Sequence, residues 1–226
     1  MLLHGHTDAQ NNLIVEKIKP QEKKNVFLFI KGLKKDDYSQ RLIKMINSID
    51  SNRYNVFVCM KEDNVKKATG MLSQLKKEVA YFPILYDINY TRMDYILCKL
   101  LLVFGVNTKA TRTRMDKVMK REIQKYFGTA SFDYVIHQSE LDRMIGLMCS
   151  LLGKTTVYNF KYFNFEMYKD QRGYRKQVKY FVKRFPYYTM VVATKECKTL
   201  KRKADNIFLN EEVTFPMDKV LKELDS

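Results

Sequence analysis

Glycine and proline are scarce in this chain of 226 residues, at 8 and 4 respectively, so no low-complexity linker divides it. No internal repeat is present. The four cysteines, Cys59, Cys98, Cys149 and Cys197, stand far apart and never as a CxxC pair. Neither a zinc site nor a disulfide framework follows from that spacing, and reduced thiols in a cytoplasmic compartment are the expected state. The longest apolar run, residues 95–106, is interrupted by Lys99. It falls short of the roughly 20 residues that cross a bilayer. Residues 1–24 are polar and mixed in charge, so no signal peptide is expected.

Familiar catalytic motifs are missing too. No P-loop, HExxH, GxSxG or GxGxxG occurs, and no pair of carboxylates stands at an obvious catalytic spacing. Hydrolase, kinase and dinucleotide-dependent oxidoreductase chemistry therefore have no support. His4 and His6 form an H-x-H pair in a polar terminus, which is too little for a metal centre. No metal and no cofactor are expected.

Positive charge is abundant. Forty-one Lys and Arg face 25 Asp and Glu, giving +16 and a pI near 9.6. Such a field attracts polyanions: nucleic acid, an anionic membrane surface or phosphorylated substrates. Lys-rich solvated faces in an AT-rich bacterial proteome produce the same balance. The excess recurs on helix after helix, which favours a broad basic face over a basic tail. Neither an RNP-like aromatic motif nor a helix-turn-helix signature is visible, so specific nucleic acid binding is not expected.

Apolar periodicity carries the fold. Hydrophobic residues make up 46% of the chain, enough for a large core. Short runs rich in Val, Ile, Tyr and Phe predict strands at residues 25–30, 54–60, 79–85, 132–138, 155–160, 188–194 and 207–209. Helical spacing predicts helices near residues 38–50, 65–77, 95–104, 112–127, 141–152 and 166–185. Gly128 and Gly153 stand where helices would stop, and Pro186 ends the last one. Residues 132–160 read as strand, crossing helix and strand, hence a right-handed parallel βαβ unit. The whole pattern implies a three-layer α/β Rossmann-like domain with a mostly parallel sheet. Its expected extent is residues 25–210, after a polar lead-in over 1–24 and before a tail, or the start of a second domain, over 211–226.

The order of elements, with "INSIDSNRYNVFVCMKE" after the first helix, resembles the start of family-4 glycosyltransferases of the GT-B fold. "MKREIQKYFGTASFDYVIHQSEL", "GKTTVYNF" and "YYTMVVATKECKTL" are similar to segments of bacterial teichoic-acid-type enzymes. Among these are the glycosyltransferase-like regions attached to CDP-glycerol glycerophosphotransferases. The resemblance implies an acceptor-side domain, with a nucleotide-linked donor held only by a second domain or partner chain. It implies sugar or glycerol-phosphate transfer in surface-polymer synthesis, at the cytoplasmic face of the membrane. The chain departs from the family pattern in its first loop, which offers Gly32 but no glycine-rich stretch, and at Tyr158-Asn159-Phe160, which has no histidine. No E-x₇-E-like donor motif can be carried over.

Candidate site residues follow from the rule that ligands of parallel sheets sit at the carboxyl ends of strands. His137 is the candidate catalytic base, and a hydrogen-bonded structural histidine is the other reading. Ser139 and Glu140 suit an acceptor hydroxyl, although Ser in that place is also a helix cap. Gly32, Lys34 and Lys35, then Asn159 and Lys161, then Thr194 and Lys195, occupy the loops after neighbouring strands and complete the candidate acceptor site. The partners implied are an anionic or lipid-linked acceptor and an anionic membrane surface. A catalytically silent binding module for such an acceptor, or for a partner transferase, is the alternative. A basic nucleic-acid-binding protein ranks third.

Overall fold

β-branched and aromatic residues at the predicted strand positions pair into one continuous sheet. The computed structural model describes residues 23–30, 32–84, 91–102, 104, 106, 108–138, 143–159, 183–193, 205–209 and 217–225. The strands are β1 (Lys24–Ile30), β2 (Tyr54–Lys61), β3 (Ala80–Ile84), β4 (Phe132–Gln138), β5 (Gly153–Asn159), β6 (Met190–Ala193) and β7 (Ile207–Leu209). The sheet runs β3-β2-β1-β4-β5-β6-β7, and every neighbouring pair is parallel. β3 lies at an edge, which explains why Pro83 is tolerated inside it.

Alternation along the strands sorts the core into two halves. One face of the sheet carries Phe27, Phe29, Phe57, Cys59 and Tyr158. These pack on α4 (Arg92–Leu102), α5 (Lys109–Phe127) and α6 (Arg143–Leu152). The other face carries Val26, Leu28, Ile30, Val58, Met60 and Ile136. There the cover is α1 (Asp37–Ser48), the short α3 (Thr69–Leu72) and α7 (Met217–Asp225). The result is a three-layer Rossmann-like α/β fold. Aromatic rings concentrate on the first face: Phe27 lies 4.5 Å from Phe132 and 5.2 Å from Phe127, centroid to centroid. A buried ring of this kind stabilises the fold by about 1.5–3 kcal/mol.

Two local expectations change. The single helix expected over residues 65–77 is two short ones, α2 (Glu62–Lys67) and α3. The Ala68 amide bonds to Val65 O, three residues back, and tightens the turn; Gly70 lowers the gain from continuing it. Gly128 closes α5 at φ +58°, as its position predicts. Gly153 does not cap α6. It is the first residue of β5, and a Cβ there would lie 2.4 Å from Val135 Cγ2, so glycine is needed for strand approach. Most of the helix expected over residues 166–185, and Cys197, His4 and His6, lie outside the described residues. Cys59, Cys98 and Cys149 are buried free thiols.

The segment read as a tail or second-domain start contains α7. Met217, Val220 and Leu221 are buried against the α1 side of the sheet.

Candidate site at the carboxyl edge of the sheet

Strand order reverses between β1 and β4, which are neighbours although β2 and β3 intervene in the chain. The connections leaving two such strands diverge to opposite faces and open a crevice at their carboxyl ends. Ile30 pairs with Gln138 at that edge. β1, β4, β5 and β6 are adjacent and parallel, so their carboxyl ends share one edge of the sheet.

The loop after β1 is well specified. Leu33 is buried and anchors it on the α1 side. A Cβ on Gly32 would stand 3.1 Å from Asn64 Cβ, so this glycine lets the loop pass close to α2. The Lys34 amide donates to Ser39 Oγ at 2.9 Å. Asp36 caps α1, its Oδ1 accepting from the Ser39 amide at 2.8 Å. That backbone hydrogen bond, first among several causes, holds the Asp36 carboxyl below its ordinary range. Lys34 and Lys35 are exposed on this fixed turn. Because Asp36 already engages the helix end, anion attraction at this loop falls to the two lysines.

Across the crevice, Gln138 is buried at the end of β4, with Nε2 3.5 Å from the Tyr38 hydroxyl of α1. His137 faces the opposite way, into the α6 side of the core, and is fully enclosed. Its Nδ1 lies 3.0 Å from the Tyr188 hydroxyl, which donates to Gly146 O at 2.8 Å. With its proton given to Gly146, the hydroxyl accepts from His137, which assigns the Nδ1–H tautomer. The imidazole stacks on Tyr158 with centroids 4.4 Å apart.

The chain matches no known protein-family model and no curated protein. Geometry alone therefore describes the site. Of the candidate residues, Gly32, Lys34, Lys35, His137 and Asn159 lie on described elements. Asn159 is the last residue of β5, paired with Val192. Ser139, Glu140, Lys161, Thr194 and Lys195 lie outside the described residues.

Tyr38 and Gln138 also stand at this edge and were not among the candidate residues. The sequence signal for Gln138 is a polar residue closing an apolar strand. Tyr38 opens the helix expected near residues 38–50. Among the described residues no cluster of three or more His, Cys, Asp or Glu gathers at metal-binding distance. Among them, too, no helix is long and apolar enough to cross a membrane.

Proposed function

We propose that this chain is the acceptor-side half of a GT-B-like transferase, holding an anionic or lipid-linked acceptor for sugar or glycerol-phosphate transfer in bacterial surface-polymer synthesis. The observation that carries the reading is the β1–β4 switch point, with the rigid, lysine-bearing loop of residues 32–36 at its rim. Sheets of this kind bind ligands there. Lys34 and Lys35 would supply point charges for a phosphate, and the Gln138–Tyr38 pair stands at the carboxyl end of β4. Ser139, Glu140, Asn159, Lys161, Thr194 and Lys195 would complete the acceptor contacts. In this reading the nucleotide-linked donor is held by a second domain or a partner chain, since transfer needs both substrates in near-attack geometry. The setting would be the cytoplasmic face of the membrane.

The enclosed ring of His137 favours a second reading, a binding module without catalysis of its own. In both readings the histidine braces β4 through its hydrogen bond with Tyr188.

Calorimetric titration with glycerol phosphate and with a short-chain polyprenyl phosphate tests the proposal. Binding weakened about tenfold or more by Lys34→Ala with Lys35→Ala is the expected result. An absence of binding by either phosphate, or binding unchanged in the double variant, would overturn the assignment of this loop.

A further inference from the structure

Apolar side chains normally turn inward on a helix that covers a sheet, and α4 does so on only one side. Asp94, Cys98 and Leu101 face the core, with relative exposures of 3% or less. Elsewhere around the helix, Met93, Tyr95 and Ile96 are 61%, 53% and 52% exposed. Beyond the helix the chain folds back, the Phe104 amide bonding to Lys99 O and the Val106 amide to Leu100 O. That fold-back holds Phe104 67% exposed and Val106 39% exposed at the end of α4. Five of the eight large exposed hydrophobic residues described thus lie on one short stretch. Scattered exposed apolar residues carry no information, but a local concentration marks an interaction surface.

Charge identifies the partner. α5 packs beside α4 in the same layer, tied to it by Arg114 Nε donating to Asp94 Oδ1. Its outward cations are Lys109, Lys117, Lys120, Arg121 and Lys125; α4 adds Arg92 and Lys99. The carboxylates of this pair do not share that surface. Asp94 and Glu122 are each 1% exposed, and Asp116 is half-buried near Arg184. Every fully exposed charge on α4 and α5 is therefore positive. Lys99 Nζ also lies 5.6 Å from the Tyr95 ring centroid, a cation placed over an aromatic face.

We propose that the outer surface of the α4–α5 pair docks on a bilayer bearing anionic headgroups. Phosphate groups alone would need only the cations; exposed Ile, Met and Phe among them suit the boundary between headgroups and acyl chains. Tyrosine is favoured at that depth, and lysine stems reach from it toward the headgroups. α4, at 11 residues, is too short to cross and would lie in the plane of the interface. Neither part suffices alone, because reversible attachment of this kind takes an apolar anchor plus a basic patch. The inference is independent of which ligand occupies the carboxyl edge of the sheet.

Co-sedimentation of the full chain with vesicles tests this, using phosphatidylcholine alone and phosphatidylcholine mixed with phosphatidylglycerol. Binding is expected only to the mixed vesicles at low salt, with release at high salt. Lys117→Ala with Lys120→Ala should weaken partitioning by about fivefold per charge removed. Ile96→Ser with Phe104→Ser should weaken it by about tenfold or more while the thermal transition stays at the wild-type position, because both side chains are exposed. Equal binding to neutral and mixed vesicles would overturn the charged part of the surface. Unchanged binding by the Ile96/Phe104 variant would overturn the apolar part. Loss of vesicle binding to a modest excess of RNA would reassign the face to nucleic acid.

Discussion

Lys24 Nζ donates to Asp225 Oδ1 at 2.6 Å, joining the first strand to the last helix across 201 residues of sequence. Arg53 Nη2 reaches the other oxygen at 2.8 Å, and the hydroxyls of Tyr54 and Tyr134 donate to the same carboxylate. One side chain of α7 thus gathers groups from the amino ends of β1, β2 and β4, the edge opposite the candidate site. Burial alone would raise the Asp225 pKa; the hydrogen bonds from Lys24, Tyr134 and Tyr54 overcome that and bring it down to about 2. Burial first, then contact with Asp225, pushes Tyr54 up to about 12.

Replacing that carboxylate should loosen α7. A folded-state pKa of about 2, below the ordinary 3.8, means the contribution is complete above pH about 4 and is lost as pH falls toward 2. Asp225→Asn is expected to cost about 1–3 kcal/mol at pH 7, and to lose less stability than the wild type on acidification. Urea unfolding at pH 7, 4 and 3 measures both effects. Equal stabilities at pH 7 would show that the clasp contributes nothing.

Gly153→Ala should destabilise the fold by about 1–3 kcal/mol, because the new methyl meets Val135 Cγ2 at 2.4 Å inside the β4–β5 pair. Gly128→Ala should cost about 1 kcal/mol for a different reason, its φ of +58°. A crystal structure of the Gly153 variant would show Val135 displaced. Wild-type stability in that variant would mean the approach relaxes freely.

Tyr188→Phe removes a hydroxyl that serves His137 and Gly146 together. Stability should fall by about 1–3 kcal/mol, since two buried groups lose a partner at once. The histidine ring signals in an NMR spectrum should shift in this variant. If His137 has the bracing role argued for it, phosphate binding by the Tyr188 variant stays at the wild-type level under conditions where it is folded.

Asp94→Asn should release α4 from α5. Asp94 accepts from Arg114, and it forms a reciprocal cap with Thr91, the Thr91 amide donating to Asp94 Oδ2 while Asp94 N donates to Thr91 Oγ1. Burial would raise its pKa, but the Arg114 and Thr91 contacts hold it below 3.8. Its stabilisation is therefore present above the ordinary carboxylate range and lost as pH falls below it. The variant is expected to lose about 2–4 kcal/mol, and hydrogen exchange in α4 should accelerate more than in β1.

Local chemistry was enough to place most of the sheet. β-branched and aromatic runs marked all seven described strands within a few residues, and β4 and β7 to the residue. Helical spacing over residues 112–127 puts Met115, Met119, Ile123 and Tyr126 on the inner face of α5; three of them are buried and Ile123 packs partly buried against the same core. Gly128 ended that helix because only glycine takes a positive φ without strain. Strand alternation with helices sufficed for the three-layer class. The loops after the strands were nameable as candidate sites for the same reason.

What the sequence by itself determined, then, were the periods, the breaks and the sign of the field. These depend on residues within a turn or a strand of one another. The order β3-β2-β1-β4-β5-β6-β7, and with it the crevice, depends on which strands meet, and pairing is non-local. Only tertiary packing turned Asp94 and Glu122 inward and left the outer charges of α4 and α5 all positive. It also closed His137 into the core and brought Asp225 to Lys24, because the partners that satisfy a buried polar group can lie anywhere in the chain.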